Sequence, residues 1–462
     1  MHQSHLHKLL LIAIISIVIF SCRKDKVIYS SNVKLSFTQD TLTFDTVFTS
    51  LGSTTEFFKV LNTHKQPIII SKIDLAGGNS SQFRINIDGI PGISARDIKI
   101  EGEDSMYIFV EVTVDPSLVG TPFIIEDSII FITNGNMQRV LLTAWGQNAY
   151  YYNGNIICSM KWISDKPHVV YNSVLVDSGC TLTIKEGTHV HFHDRSRLFV
   201  SGTLKVNGTA ADPVVFQGDR LESFYEDLPG QWDGIHFLRG SINNEINYAI
   251  IENGVVGIRV DSLSENSNPN LIIKNSIVRN TLSSGILGLT AEIQGENCLI
   301  YNNGQYSCQL EIGGVYDFKH CTFANYSSIL INHKSSVVRL SNLFDAFIPA
   351  DDIYADLNAT FTNCIIYGSL KEELDFNFDG KVDSTYLFDN CIIRSEKNII
   401  PPFFTANKVN DDPKFVLIAE DDFHLDSLSS AIDAGKNIGI MIDLEDNVRS
   451  DGKPDIGCYE KQ

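Results

Sequence analysis

Asn275-Ser276-Ile277-Val278, Asn297-Cys298-Leu299-Ile300, Asn363-Cys364-Ile365-Ile366 and Asn390-Cys391-Ile392-Ile393 are four copies of one pattern: a polar or turn residue, a small residue, then two apolar residues. Tyr248-Ala249-Ile250-Ile251, His320-Cys321-Thr322-Phe323 and Ser341-Asn342-Leu343-Phe344 extend the series. Successive small positions lie 27, 22, 23, 21, 22 and 27 residues apart. A repeat of short strands near this length is one coil of a parallel β-helix, in which each coil stacks on the next at about 4.8 Å. The leucine consensus of a leucine-rich repeat is missing.

Stacking turns equivalent positions into columns. Asn275, Asn297, Asn363 and Asn390 are expected at a tight bend, because asparagine tolerates the left-handed conformation and its stacked amides bond along the ladder. The small residues and Ile251, Val278, Ile300, Phe323, Phe344, Ile366 and Ile393 read as core. Glu252, Arg279, Tyr301, Ala324, Asp345, Tyr367 and Arg394 read as an outward column, and Ile250, Ile277, Leu299, Thr322, Leu343, Ile365 and Ile392 as an apolar column that something else must cover. Glu252 beside Arg279 reads as a surface ion pair. Alternatively, Glu252, Arg279, Tyr301, Tyr367 and Arg394 form a ligand face on which tyrosines stack against sugar rings.

Working outward, residues 149–400 are assigned to the β-helix and 401–462 to its closing segment. Leu182-Thr183-Ile184, Val200-Ser201-Gly202-Thr203-Leu204 and Gly230-Gln231-Trp232-Asp233-Gly234-Ile235 open this region; Ser430-Ala431-Ile432-Asp433-Ala434-Gly435 and Asp455-Ile456-Gly457-Cys458-Tyr459-Glu460 close it. These segments resemble right-handed parallel β-helix proteins of Bacteroidota. That resemblance implies the fold; the family includes polysaccharide lyases, and fold does not carry activity.

Residues 34–148 alternate short β-rich segments with turns such as Gly77-Gly78-Asn79 and Asn134-Gly135-Asn136. About seven strands in this length predict an immunoglobulin-like sandwich. Leu42-Thr43-Phe44-Asp45, Phe58-Lys59-Val60-Leu61-Asn62, Val112-Thr113-Val114-Asp115-Pro116 and Leu141-Leu142-Thr143-Ala144-Trp145-Gly146 resemble immunoglobulin-like domains of the abnormal-spindle and hydin type, which implies a packing and spacing module. The fold class is therefore all-β: an immunoglobulin-like sandwich followed by a right-handed parallel β-helix.

The first residues read as an address. Lys8 precedes an apolar run, Leu9 to Phe20, too short to span a bilayer. It ends in Ile19-Phe20-Ser21-Cys22, which resembles a lipobox. Residues 1–21 are then a lipoprotein signal peptide, Cys22 the lipidated terminus, and 22–33 a tether. The implied location is the cell envelope, as an outer membrane lipoprotein facing periplasm or cell surface.

The net charge of −20 argues against nucleic acid as a partner. Most of the nine cysteines read as free buried thiols, because Cys298, Cys321, Cys364 and Cys391 share one repeat position. Asp375, Asn377, Asp379, Lys381 (through its carbonyl) and Asp383, with Gly380, match the spacing of a calcium loop, so Ca2+ is expected as a structural ion; Tyr386 stands where a bidentate glutamate belongs. His189, His191 and His193 would share one strand face, read as polar surface rather than a metal site. Arg279, Lys319 and Arg394 are the basic residues on coils that a lyase would need. No catalytic motif is legible, so the sequence favours an envelope protein that binds glycan or has a structural or adhesive role. The alternatives are a polysaccharide lyase or glycoside hydrolase, and an adhesin with a protein partner.

Overall fold

The computed structural model describes residues 26–48, 52–114, 123–264, 266–344, 353–399, 401–449 and 452–462. Cys22 and Asp345 lie outside them. The chain divides into two compact units, residues 1–148 and 149–462.

The first unit is a two-sheet sandwich. One sheet orders Ser36–Phe37, Glu56–Leu61, Ser105–Val112, Phe83–Ile87 and Ile90–Pro91, all antiparallel. The other orders Thr41–Phe48, Asn136–Gln147, Phe123–Thr133, Ile68–Leu75 and Ser94–Ile100, with its first pair parallel. Alternation decides which side chains meet: Met106, Ile108, Val110 and Val112 point inward, one residue in two, and pack on Phe131, Val140 and Leu142 of the facing sheet.

The second unit is a parallel β-helix with three sheets. Sheet I stacks strands such as Val214–Gly218, Ala249–Glu252, Ile277–Arg279, Leu299–Tyr301, Thr322–Asn325, Ile365–Gly368 and Ile392–Ile393. Sheet II contains Gly234–Phe237, Ile258–Asp261, residues 286–289 and Val338–Ser341; sheet III contains Asn244–Asn247, Leu271–Lys274, residues 291–296 and Leu357–Thr362. The bend from sheet III into sheet I is where the repeat places its polar residue. Tyr248, Asn275, Asn297, His320, Asn363 and Asn390 all adopt φ between 47° and 57°. Their side chains form a ladder: Asn275 donates to Asn247 at 3.0 Å, Asn297 to Asn275 at 3.1 Å and Asn390 to Asn363 at 3.2 Å. The small column and Ile251, Val278, Ile300, Phe323, Ile366 and Ile393 are fully buried.

One repeat unit is corrected. Thr322 pairs directly with Ile365, so no coil intervenes between Cys321 and Cys364. Ser341 ends a strand of sheet II, and Leu343–Phe344 pairs with Ile353–Tyr354 in a side hairpin that leaves Phe344 exposed. Insertions lengthen this coil to about twice the usual size, and a chance match to the motif falls inside them.

The closing segment covers the apolar column. Phe415, Phe423, Leu425, Ala431, Leu444, Ile456, Cys458 and Tyr459 form one buried cluster with Leu299, Ile365 and Ile392. Burying a Leu or Phe side chain contributes about 1.5–3 kcal/mol, so this cover contributes substantially. Residues 411–462 form a strap that runs back against the coil order: Asn390 donates to the Ala434 carbonyl, Asn363 to Lys436, Asn297 to Ile442, and Tyr248 bonds Asp446. Arg449, almost wholly buried, pairs with Glu460 at 2.7 Å and also donates to Asn297 and the Gly457 carbonyl. Gly457, at φ 103°, must be glycine, because a Cβ there would sit 2.8 Å from Ile365 and 2.9 Å from Thr322.

Candidate functional site

Sheet I is followed by a second polar corner. Asn253, Asn280 and Asn302, four residues after the small positions Ala249, Ser276 and Cys298, adopt φ of 64°, 53° and 50°. Two covering segments reach this corner. The loop 219–233 is held to it by Asn253, which donates to the Glu226 carbonyl at 2.8 Å, and by Asn280, which donates to the Asp227 carboxylate at 3.0 Å. The strap reaches it at the 3-10 turn Ile418–Glu420; Asp421, next in the chain, accepts from Asn302 at 2.8 Å.

Between loop and strap lies a cleft of about 900 Å³, a volume typical of small-ligand sites. Arg279, Asn280 and Asn302 form its floor, with Glu226, Asp227, Glu420 and Asp421 on the covering segments. The third wall is the segment after Tyr326, where Ile329 is fully exposed and Leu330 half-exposed. Arg279 is the single cation of the lining and is already engaged: Nε and Nη2 contact Glu252 at 2.7 Å and Nη1 donates to the Tyr301 hydroxyl at 3.0 Å. Burial, reinforced by facing Asp227, holds the Asp421 carboxyl above the usual carboxylate range, against the lowering effect of Asn302 and Arg279. Burial likewise raises the Tyr326 hydroxyl.

No known protein family matches the chain, and no curated protein matches it. Among solved structures it is similar to the pectate lyase Pel9A, at 12% identity over 68% of this chain and 88% of that one, with a TM-score of 0.31. It is also similar to the catalytic domain of a GH87 alpha-1,3-glucanase (12% identity, 76% of this chain, 86% of that one, TM-score 0.18). A family 123 glycoside hydrolase from Clostridium perfringens matches at 10% identity over 28% of this chain and 30% of its own, TM-score 0.20. Likeness at this level says nothing of activity.

The residues singled out from sequence are only partly brought together. Glu252 and Arg279 do pair across neighbouring strands; Glu252 is buried, and the Arg279 side chain is 29% exposed at the floor of the cleft. Tyr301 and Tyr367 lie in the cluster beneath the strap, so their rings face protein and do not present a stacking surface. Arg394 sits over the Tyr367 ring at 5.2 Å and donates to the Gly368 carbonyl. Lys319 pairs with Asp317.

The candidate calcium residues Asp375, Asn377, Asp379, Lys381 and Asp383 lie on a strand and the turn that follows it. Asp375 and Asn377 lie on the strand Leu374–Asn377, and Asp375 is engaged by Arg339. Asp379 takes the Lys381 amide, and the Asp383 amide donates to Asp356. Among the described residues no three His, Cys, Asp or Glu side chains converge as a metal centre requires. His191 is buried, bonds the Gly218 carbonyl and is held down at about 4 by burial, while His193 pairs with Asp219.

Cys158 and Cys180 form a disulfide between the first two coils. Cys298, Cys308, Cys321, Cys364, Cys391 and Cys458 are buried free thiols. The residues that line the cleft were partly legible: asparagine recurs at a fixed offset in the repeat. Asp227 and Asp421, on segments far apart in the chain, carried no signal.

Proposed function

We propose that this chain is a lipid-tethered cell-envelope protein that binds a glycan in the cleft between loop 219–233 and the strap. The observation that carries the reading is the composition of the cleft: hydrogen-bonding side chains from successive coils on the floor, with an apolar lip at Ile329 and Leu330. A sugar chain offers both hydroxyls and C–H faces, which match such a surface. Its lining has four carboxylates against one cation that is itself paired. That sign favours neutral or amino-bearing sugars over uronates, which it repels. It also weighs against a lyase, whose basic candidates Arg279, Lys319 and Arg394 are all engaged elsewhere.

In this reading the chain is anchored in the outer membrane by lipid on Cys22, and the sandwich is an immunoglobulin-like spacer. The test uses the soluble chain from Arg23 onward in native gels cast with a neutral glucan, chitosan or polygalacturonate. Retardation by the glucan or chitosan, and none by polygalacturonate, is expected. Retardation by polygalacturonate alone, or by none of them, overturns the reading and favours an adhesive role with a protein partner.

A further inference from the structure

Resting on the glycan reading, we infer that the glycan bound in the cleft carries an acyl chain, seated against Ile329, Leu330 and Ile418. The cleft has aliphatic side chains on two walls that are far apart in sequence. Ile329, Leu330 and Ile331 come from the segment after Tyr326, and Ile418 and Ala419 from the strap. Ile329 is fully exposed, Leu330 is 46% and Ile418 36% exposed, and Val416 and Leu417, next to Ile418 in the chain, are exposed as well. Single apolar residues at a surface need no explanation, but aliphatic groups gathered on two walls of one cleft mark a place where an apolar group binds.

The exposed tip is a built feature. The Ser328 hydroxyl accepts from the Leu330 and Ile331 amides at 3.2 and 3.0 Å, and the Ser328 amide donates to the Ile331 carbonyl at 2.7 Å. At the base of the segment His333 and Glu373, both with side chains wholly buried, pair at 3.0 Å, and Glu373 also accepts from the Val337 and Leu370 amides. Ile331, between tip and base, is buried. A segment bonded in this way holds Ile329 in water, and the cost of that exposure is removed when a ligand covers it.

The occupant follows from the two kinds of surface in the lining. A flat sugar face is best met by an aromatic ring, whose negative face attracts C–H groups. Tyr326 is the single aromatic residue of the lining, and its ring lies against Phe423 of the closing cluster, 6.2 Å between centroids. Branched aliphatic side chains offer no such face and match a flexible hydrocarbon chain. The rest of the lining sets the other end of the ligand. Glu226, Asp227, Glu420 and Asp421 favour hydroxyls or an amine and repel an anionic head. A fatty acid or an anionic lipid is therefore a poor occupant, and a neutral or amino sugar bearing an acyl chain is a good one.

The experiment measures by calorimetry the binding of methyl glucoside, octyl glucoside and octanoate to the soluble chain, each below its micelle-forming concentration. Each methylene buried adds about fourfold in affinity, so octyl glucoside, seating three or more, is expected to bind at least about 50-fold tighter than methyl glucoside. Octanoate is expected not to bind. Ile329→Ser and Ile418→Ser should each weaken octyl glucoside about fivefold or more, whereas Leu428→Ser, at an exposed leucine outside the lining, should stay within about twofold of the parent. Octyl glucoside no tighter than methyl glucoside, octanoate as tight as octyl glucoside, or tight binding that survives both cleft substitutions overturns the acyl inference. So does an equal loss in Leu428→Ser. The gels with glucan and chitosan decide the glycan reading separately: retardation keeps it when the chain preference is missing, and neither retardation nor glucoside binding overturns both.

Discussion

In the sandwich, strands such as Ser105–Val112 bury every second side chain, and the buried polar residues among its described positions are Asn62, Ser81 and Thr133. In the β-helix the buried polar side chains are far more numerous and concentrate at bends: Asn253, Asn275, Asn280, Asn297, Asn302 and Asn363 among them. The difference follows from where each fold turns. Antiparallel strands turn at the sheet ends, where water satisfies the free backbone groups. β-Helix corners are stacked on one another and, here, roofed by loop and strap, so side-chain amides must replace that water. A sandwich therefore writes its fold in the alternation of its strands, and a β-helix writes much of it in the residue type at its corners.

The comparison can be broken most directly at Arg449. Arg449→Ala leaves Glu460 and Asn297 without their partner in a buried site, at a cost of about 3–5 kcal/mol. Hydrogen–deuterium exchange should show protection lost along 411–462 and at the Asn297 corner while sandwich amides keep theirs. If the strap stays protected, its attachment to the polar corner is not what holds it.

A fall in pH should also separate the units. Burial pulls His168 and His191 down to about 4 from the ordinary 6.5, so they stay neutral in the folded chain while the unfolded chain takes up protons. Their contribution is fully present above about pH 6.5 and is lost as pH falls toward 4. From His168 and His191 alone, going from pH 7 to about 5.5 should cost the β-helix roughly 2–3 kcal/mol; His320 and His189, also lowered by burial, add to the loss, and the raised carboxyls of Asp219, Asp421 and Glu460 pull the other way. The sandwich has no buried histidine among its described residues, and His64 is only partly covered. Urea midpoints for each unit, followed by exchange at several pH values, check this; equal losses in both units would contradict it.

The smallest effect is expected at a surface pair of the sandwich. Lys99 and Glu101 are both well exposed, and Glu101→Gln should change stability by less than about 0.5 kcal/mol. A larger loss in a thermal scan would mean that polar pairing matters as much in the sandwich as in the β-helix.

Much of the β-helix was legible because its signals are local. A left-handed bend selects asparagine wherever it occurs, and a buried site beside it selects Ser, Ala or Cys, so the coil spacing could be counted. The same locality misled at Ser341, where four residues fit the pattern within an insertion. It misled again at Tyr301 and Tyr367, because position in a column says that a side chain points outward and not what lies over it. The calcium spacing at Asp375 to Asp383 reads as a loop in sequence, whereas Asp375 lies on a strand beside Arg339 of the neighbouring coil, 36 residues earlier, which pairs with it.

By itself the sequence determined the coil repeat, the corner asparagines, the buried thiols and the strand alternation of the sandwich, since each depends on preferences within a few residues. Only the tertiary structure decided which face of sheet I is roofed and where the roof leaves a gap. Asp227 and Asp421 reach the same corner because Asn280 and Asn302, which hold them, become neighbours when coils stack, and no short-range preference encodes an approach of segments so distant in the chain.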